Sequence, residues 1–347
     1  MSVSVIIAML LLVAHRVTSS VPSFLKVLET HPTSIIDESE VRVHQFIDSG
    51  RFSHVYEAKI GDSLPCVCKI LKQGVPENKV LREIDVLERC DDIEGVIRLL
   101  GITRNITSRS VALIFENVGE NYQWFSHKGR PVHIESGLED LSSSLSKEEI
   151  KYFMHRLLST LQKIHRRGIM HRDVKPRNVI IDRRNKILKL IDFGHADYLM
   201  AGKQYSNRVS SRSFKAPELL LDYRCYDSAI DVWACGCLFA GLIFKLEPFF
   251  YARPDPMNLG MISTISRLAG SDAILLWAKK WGIRISDKQR RMVGRHPLVP
   301  LEHFRNEENK DLACDLAIDL AKNMMKVDHS ERYTVEECLN HPYFENM

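Results

Sequence analysis

Residues 171–194 read HRDVKPRNVIIDRRNKILKLIDFG, and this stretch decides the rest. Two aspartates and an asparagine stand at Asp173, Asn178 and Asp192, with Lys175 between the first two. A carboxylate that takes a proton from a hydroxyl works best beside a cation that can neutralise a moving phosphoryl group. Two further oxygen ligands can then hold Mg²⁺ against a nucleotide. HRD alone would recur by chance. A lysine at +2, an asparagine at +5 and the DFG aspartate at +19 from Asp173 are far more specific together. The bland alternative is a charged surface turn between core strands, and the flanking sequence weighs against it.

Upstream, short strands are expected from Val41 onward in VRVHQFI, HVYEAKI and CVCKILK, with turn residues GR and GDS between them. The first turn, IDSGRFSHVYEA, is where a phosphate-covering G-x-G-x-x-G-x-V loop would sit. Only Gly50 and Val55 fit that pattern, and Asp48 and Ser53 take the outer glycine places. Backbone amides can approach a phosphate beside Gly50, although Asp48 is a poor neighbour for an anion. Lys69 follows Val55 by 14 residues and suits the α- and β-phosphates. Its expected partner is Glu83, in a stretch whose Val80, Leu81, Ile84 and Leu87 recur at helical spacing. Farther on, Phe115 would back a nucleotide pocket, and Glu116-Asn117-Val118 would form a hinge whose backbone bonds the purine edge. Val55, Val67, Ile180 and Ile191 would supply flat apolar contact, each being equally good as plain core.

Residues 122–146 form a polar insertion with no identifiable chemistry. A long amphipathic helix follows, capped by Ser146 with Glu149 three residues on, and it runs towards Gly168. Downstream of DFG, Ala216-Pro217-Glu218 closes a segment in which Glu218 should pair with Arg332. Asp231 should hydrogen-bond the backbone of the catalytic loop. The apolar run at 232–244 is too short for a membrane span and reads as core.

The chain has 347 residues, of which 45% are apolar and 27% charged, within the range of ordinary globular proteins and long enough for two domains. A net charge of +4 says little about partners, and no nucleic-acid partner or transmembrane segment is expected. Residues 1–20 resemble a secretory signal peptide without a basic start; a buried or frayed terminus is the alternative. Residues 21–41 read as a linker or loosely docked arm. The sequon Asn105-Ile106-Thr107 matters only if the chain enters the secretory route. Eight cysteines, including Cys66/Cys68 and Cys235/Cys237, form no zinc pattern and read as buried free thiols, which suits a reducing compartment.

With these residues assembled, the chain resembles the eukaryotic protein kinases, and within them the casein kinase II catalytic (alpha) subunit. The closest stretches are GIMHRDVKPRNVIIDRRNKILKLIDFGHADY, RVSSRSFKAPELLLDYRCYDSAIDVWACGCLFAGLIFKLEPFF and the terminal HPYF. The resemblance spans about residues 42–345. It implies an α+β, bilobal kinase fold: a small antiparallel β-sheet lobe with one main helix over 42–118, and a larger, mostly helical lobe over 119–345. It implies Ser/Thr phosphorylation with Mg²⁺ and ATP, or alternatively GTP, on acidic protein substrates. A regulatory beta subunit and a nuclear or cytoplasmic location are also implied; the secretory pathway applies if residues 1–20 are a signal. Carried onto this chain, Asp173 and Lys175 are catalytic and Asn178 and Asp192 hold the metal. Lys69, Glu83, Gly50, Val55, Val67, Phe115, Glu116, Val118, Ile180 and Ile191 serve the nucleotide. Arg208, Arg212 and Lys215 read the acidic substrate.

Three departures matter. Phe193 stands where that family has tryptophan. The basic run before Glu83 keeps only Lys79 and Arg82, which predicts a weakened acidic preference. The arm before residue 41 bears little similarity, so constitutive activity is left open; Ser206, Ser210, Ser211 or Ser213 could take a phosphate that Arg172 receives. The poor glycine loop also leaves a pseudokinase scaffold as a rival reading, and residues 1–20 leave a secreted kinase as another.

Overall fold

The computed structural model describes residues 33–105, 110–119, 122–125, 145–255 and 258–345. The expected signal peptide, most of the arm, the sequon beyond Asn105 and most of the polar insertion lie outside these residues. The chain divides into two compact units. One holds the residues up to Glu88 with Arg98–Asn117, and the other holds Arg89–Ile97 with Val118 onward.

The first unit is built on five antiparallel strands: β1 (Val41–Ser49), β2 (Ser53–Ile60), β3 (Leu64–Leu71), β4 (Leu99–Asn105) and β5 (Ser110–Glu116). Their order is β1-β2-β3-β5-β4. Side chains alternate across a strand, so CVCKIL in β3 is sorted onto two faces. Cys66 and Cys68 join Ala58, Ala112 and Ile114 in a packed layer on one face. Burial pushes the Cys66 thiol up to about 11 and Cys68 to about 12, as expected of inert core thiols. Val67 and Lys69 take the opposite face. There Val55 pairs with Lys69 and Phe115 with Val67 in register, so all four side chains share one surface. Helix α1 (Glu77–Arg89) buries Val80, Glu83, Ile84, Val86 and Leu87.

Residues 33–36 of the arm dock on the sheet. Ile35 bridges Ile102 in parallel, the Ile36 N–H donates to Ile102 O at 2.8 Å, and Ile102 N–H donates to Ser34 O at 3.0 Å. This covers an edge of β4 that would otherwise offer unpaired backbone groups. The approach is so close that a Cβ on Gly101 would lie 2.7 Å from Ser34 O, which explains the glycine.

The second unit is mostly helical. Helix α2 (Lys147–Arg166) has the expected capping box between Ser146 and Glu149. A three-stranded sheet joins β6 (Gln123–Trp124), β8 (Val179–Asp182) and β9 (Ile187–Leu190). A two-stranded ribbon joins β7 (Ile169–Met170) and β10 (Asp197–Tyr198). Residues 89–97 belong here through the Leu190 N–H on Gly95 O at 2.7 Å and the Arg167 guanidinium on Asp92 at 2.6 Å. Then come α3 (Pro217–Leu220), α4 (Ala229–Phe244), α5 (Leu259–Ala269), α6 (Ser271–Lys280), α7 (Asp287–Val293), α8 (Asp315–Met324) and α9 (Val335–Leu339). Every residue of α4 after Ala229 is buried, as befits a helix that is apolar all round in a protein core. Among the described residues no single helix is long and apolar enough to cross a membrane.

Candidate active site

The loop between β7 and β8 is held by a carboxylate from the first turn of α4. Asp231 Oδ2 accepts the His171 N–H at 2.9 Å, and Oδ1 accepts the Arg172 N–H at 2.7 Å. His165 Nε2 lies 2.9 Å from Oδ2 as well. Burial alone would raise this carboxyl, but the His165 contact, then the charges around it, hold it below the ordinary carboxylate value. His171 is fixed in turn. Its Nε2 faces Ile191 O at 3.1 Å, and its Nδ1 faces the Asp173 N–H at 3.3 Å. A carbonyl can only accept and an N–H can only donate, so the ring is the neutral Nε2–H tautomer. Burial favours the same neutral state by lowering the imidazole pKa.

Asp173 is thereby placed with both oxygens engaged. Oδ2 accepts from Lys175 Nζ at 2.6 Å and from Asn178 Nδ2 at 3.1 Å. Oδ1 accepts the Ser211 N–H at 2.9 Å and the Ser211 hydroxyl at 3.0 Å, and Lys175 Nζ also donates to Ser211 Oγ at 3.0 Å. The sequence did not mark Ser211 for this place: it is one of several serines at 206–213, and only the fold brings it to Asp173. A carboxylate held by an ammonium, next to a position that already carries a hydroxyl, can orient a hydroxyl and take its proton.

Asn178 turns its amide nitrogen to Asp173, with a second bond to the Asp173 carbonyl at 2.8 Å, which leaves its amide oxygen for a cation. The Ile191 N–H donates to Asn178 O at 2.9 Å, bringing the segment that carries Asp192 alongside. Asp192 itself has φ 61°, a left-handed backbone uncommon outside glycine and typical of functional positions. Among the described residues, no cluster of three or more His, Cys, Asp or Glu could hold a metal. Asn178 through its amide oxygen and Asp192 through its carboxylate would hold Mg²⁺, a donor set that suits a metal arriving with a nucleotide and not a resident all-protein site.

Arg172 does not wait for a phosphate. Its buried guanidinium donates to His195 O at 2.7 Å and to the Tyr226 hydroxyl at 3.2 Å, and pairs with Asp197 at 3.3 Å. Ser211 is equally unsuited to phosphorylation, since a phosphate there would press against Asp173. The segment closes where expected, with Arg332 forming a two-pronged pair to Glu218 at 2.7 and 3.1 Å, fully buried.

The three cations expected to read substrate differ in setting. Arg208 is exposed and Arg212 half-buried, while Lys215 is half-buried and donates to Asn207 O at 2.7 Å. Burial, then the neighbouring charge of Arg212, lowers the Lys215 pKa from the ordinary 10.5.

In the first unit, Lys69 Nζ meets Glu83 Oε1 at 2.6 Å, with side chains only 12% and 6% exposed. The lysine is thus fixed on the face that carries Val55, Val67 and Phe115. Glu116 lies at the end of β5, where its N–H donates to Arg98 O at 3.0 Å. Val118, Ile180 and Ile191 belong to the second unit; Ile180 is buried in β8, and Ile191 is half-buried beside Asn178. Gly50 has its N–H on Ser53 O at 3.0 Å, and its carbonyl accepts from Lys72 Nζ at 2.7 Å, a brace the sequence reading missed. Its φ is not left-handed, and the nearest atom to an added Cβ would be 3.9 Å away, so the turn itself does not demand glycine.

The family model for the protein kinase domain matches residues 41–344, which reaches into both units and takes in every site residue described above. The chain belongs to the protein kinase domain family, whose members are phosphotransferases that use ATP and Mg²⁺.

Proposed function

We propose that this protein transfers the γ-phosphoryl group of ATP to Ser or Thr of proteins rich in acidic residues, as a kinase of the casein kinase II alpha type. The observation that carries this reading is the Asp173–Lys175–Ser211 cluster, in which a carboxylate already holds a serine hydroxyl at 3.0 Å. The acceptor hydroxyl gives its proton to Asp173 as its oxygen bonds to phosphorus, and the bond to the ADP oxygen breaks. Lys175 neutralises charge on the moving group. Asn178 and Asp192 would hold Mg²⁺, which neutralises phosphate charge when bound. Lys69, steadied by Glu83, grips the phosphates. Positioning and electrostatics carry most of such a reaction. This reading gives Val55, Val67, Phe115 and Glu116 of one unit, and Val118, Ile180 and Ile191 of the other, the role of contacting the base, and Gly50 lets the turn approach phosphate. GTP is an alternative donor.

Arg208, Arg212 and Lys215 support an acidic preference, since clustered cations hold carboxylates best. The test is phosphorylation of an acidic Ser peptide with Mg²⁺-ATP, alongside matched peptides with Thr or Tyr as acceptor. Turnover on Ser and Thr but not Tyr is expected, KM should rise several-fold when the acidic flanks become Ala, and Asp173→Asn should cut kcat by orders of magnitude while ATP still binds. Equal turnover in the variant refutes the assignment. The glycine-poor loop, with the Gly50 N–H already bonded, supports a second reading as a weakly active or pseudokinase-like scaffold; absence of turnover with intact peptide binding would favour it.

A further inference from the structure

We propose that a cavity of about 640 Å³ beside Asp173 is a subsite for a bulky apolar side chain flanking the acceptor residue, a selectivity distinct from the acidic preference. The proposal rests on the protein-kinase reading of the same site.

Two of its wall residues fix where it lies. Lys175 and Ser211 both line the cavity, and both touch the Asp173 carboxylate. A peptide whose hydroxyl sits at Asp173 therefore runs past the cavity mouth. An extended chain advances about 3.3 Å per residue, so a side chain within two or three positions of the acceptor reaches it.

The lining says what that side chain is. Phe214, Leu238 and Phe249 give an apolar floor. Ser213 and Cys237 are small wall positions, while at Gly241 the wall is tight, an added Cβ lying 3.1 Å from Leu246 O. A size of this order matches ordinary ligand pockets, which are mainly apolar with a few polar groups at the edge. Arg177, Arg212 and Glu247 also line it; the two arginines would favour acidic residues on either side of the apolar one, and Glu247 would oppose them at its own edge. A short polar side chain would leave the floor wet and gain little.

The test is a set of acidic peptides with one acceptor Ser, in which Leu or Ala is placed in turn at each of the three positions before and after it. At one position Leu should raise kcat/KM about tenfold over Ala, chiefly through KM, the size expected for burying one aliphatic side chain in a pocket. The same pairs with Ala in place of the acceptor Ser, read by fluorescence anisotropy, should show the same preference in Kd without any need for turnover. Ser213→Phe, which fills the cavity from its wall, should abolish the preference. If no position favours Leu in either readout, or if the preference survives in Ser213→Phe, the subsite is wrong. Leu-dependent binding without phosphorylation of any peptide would leave the subsite standing and overturn the kinase reading.

Discussion

Asp231→Asn is the most informative single change, because the shape is kept and only the bonding is altered. Asp231 is 1% exposed and accepts two backbone N–H groups, one on each oxygen, with His165 as a third partner. An asparagine has one acceptor oxygen and one NH₂ donor. Whichever way it is turned, either His171 or Arg172 faces a donor with its own N–H. An orphaned buried N–H costs about 1–3 kcal/mol. The surviving contacts also lose their charge assistance, about 1 kcal/mol each. Removing a buried charge gives back part of this through desolvation, so the net loss should be about 2–4 kcal/mol. For a chain of this size that is a fall in Tm of roughly 3–6 °C. The His171–Asp173 backbone should shift with it, and a displacement near 1 Å can cost about 100-fold in rate. We expect kcat to drop about 10- to 100-fold, with ATP affinity nearly unchanged. Scanning calorimetry and steady-state kinetics on an acidic peptide give both numbers. A variant with the wild-type Tm and wild-type kcat would refute the claim that this carboxylate holds the loop.

Other outcomes follow from the same geometry. Glu83→Gln keeps a hydrogen-bond acceptor for Lys69 but removes the charge that fixes it, so ATP affinity measured by titration should fall about 3- to 10-fold. Arg332→Met leaves Glu218 buried without a partner and should cost about 3–5 kcal/mol in urea unfolding, and adding Glu218→Gln should recover part of it. Burial holds the Lys215 pKa below 10.5, so its charge is lost as pH rises through that depressed value, earlier than in a free lysine. The preference for acidic peptides should therefore weaken on the alkaline side in the wild type and persist in Lys215→Arg. The depressed carboxyl of Asp231 works in the opposite direction. Its stabilisation is complete above the unfolded value of 3.8 and is lost as pH falls through the folded one, so Asp231→Asn should flatten the acid limb of a Tm–pH profile.

Much of the site was legible in the sequence because its chemistry is local. The spacing of Asp173, Lys175 and Asn178 lies within one loop, and the cap at Ser146 and the alternation in β3 are short-range patterns. Lys69–Glu83 and Glu218–Arg332 were legible only from their order and spacing relative to the other motifs, since no short-range pattern in either neighbourhood points at the other. What stayed hidden depends on tertiary contact. Ser211 looks like Ser206, Ser210 and Ser213 until the fold brings it to Asp173. Residues 33–36 carry too few apolar positions to announce a strand, and their order comes from the edge of β4. Arg172 reads as a spare cation, and only the structure surrounds it with Asp197, Tyr226 and the His195 carbonyl. The cavity by Lys175 is assembled from four separate segments and has no linear signature.

The burial of Arg172 bears on how the enzyme could be turned on. Adding a phosphoryl group orders a kinase segment when it finds an uncompensated guanidinium. Here the counter-ion is built in: Asp197 is part of the chain, and Lys203 reinforces it at 3.0 Å. A newcomer dianion would have to evict a carboxylate of like sign to reach this guanidinium. Phosphatase treatment is therefore expected to leave turnover where it was.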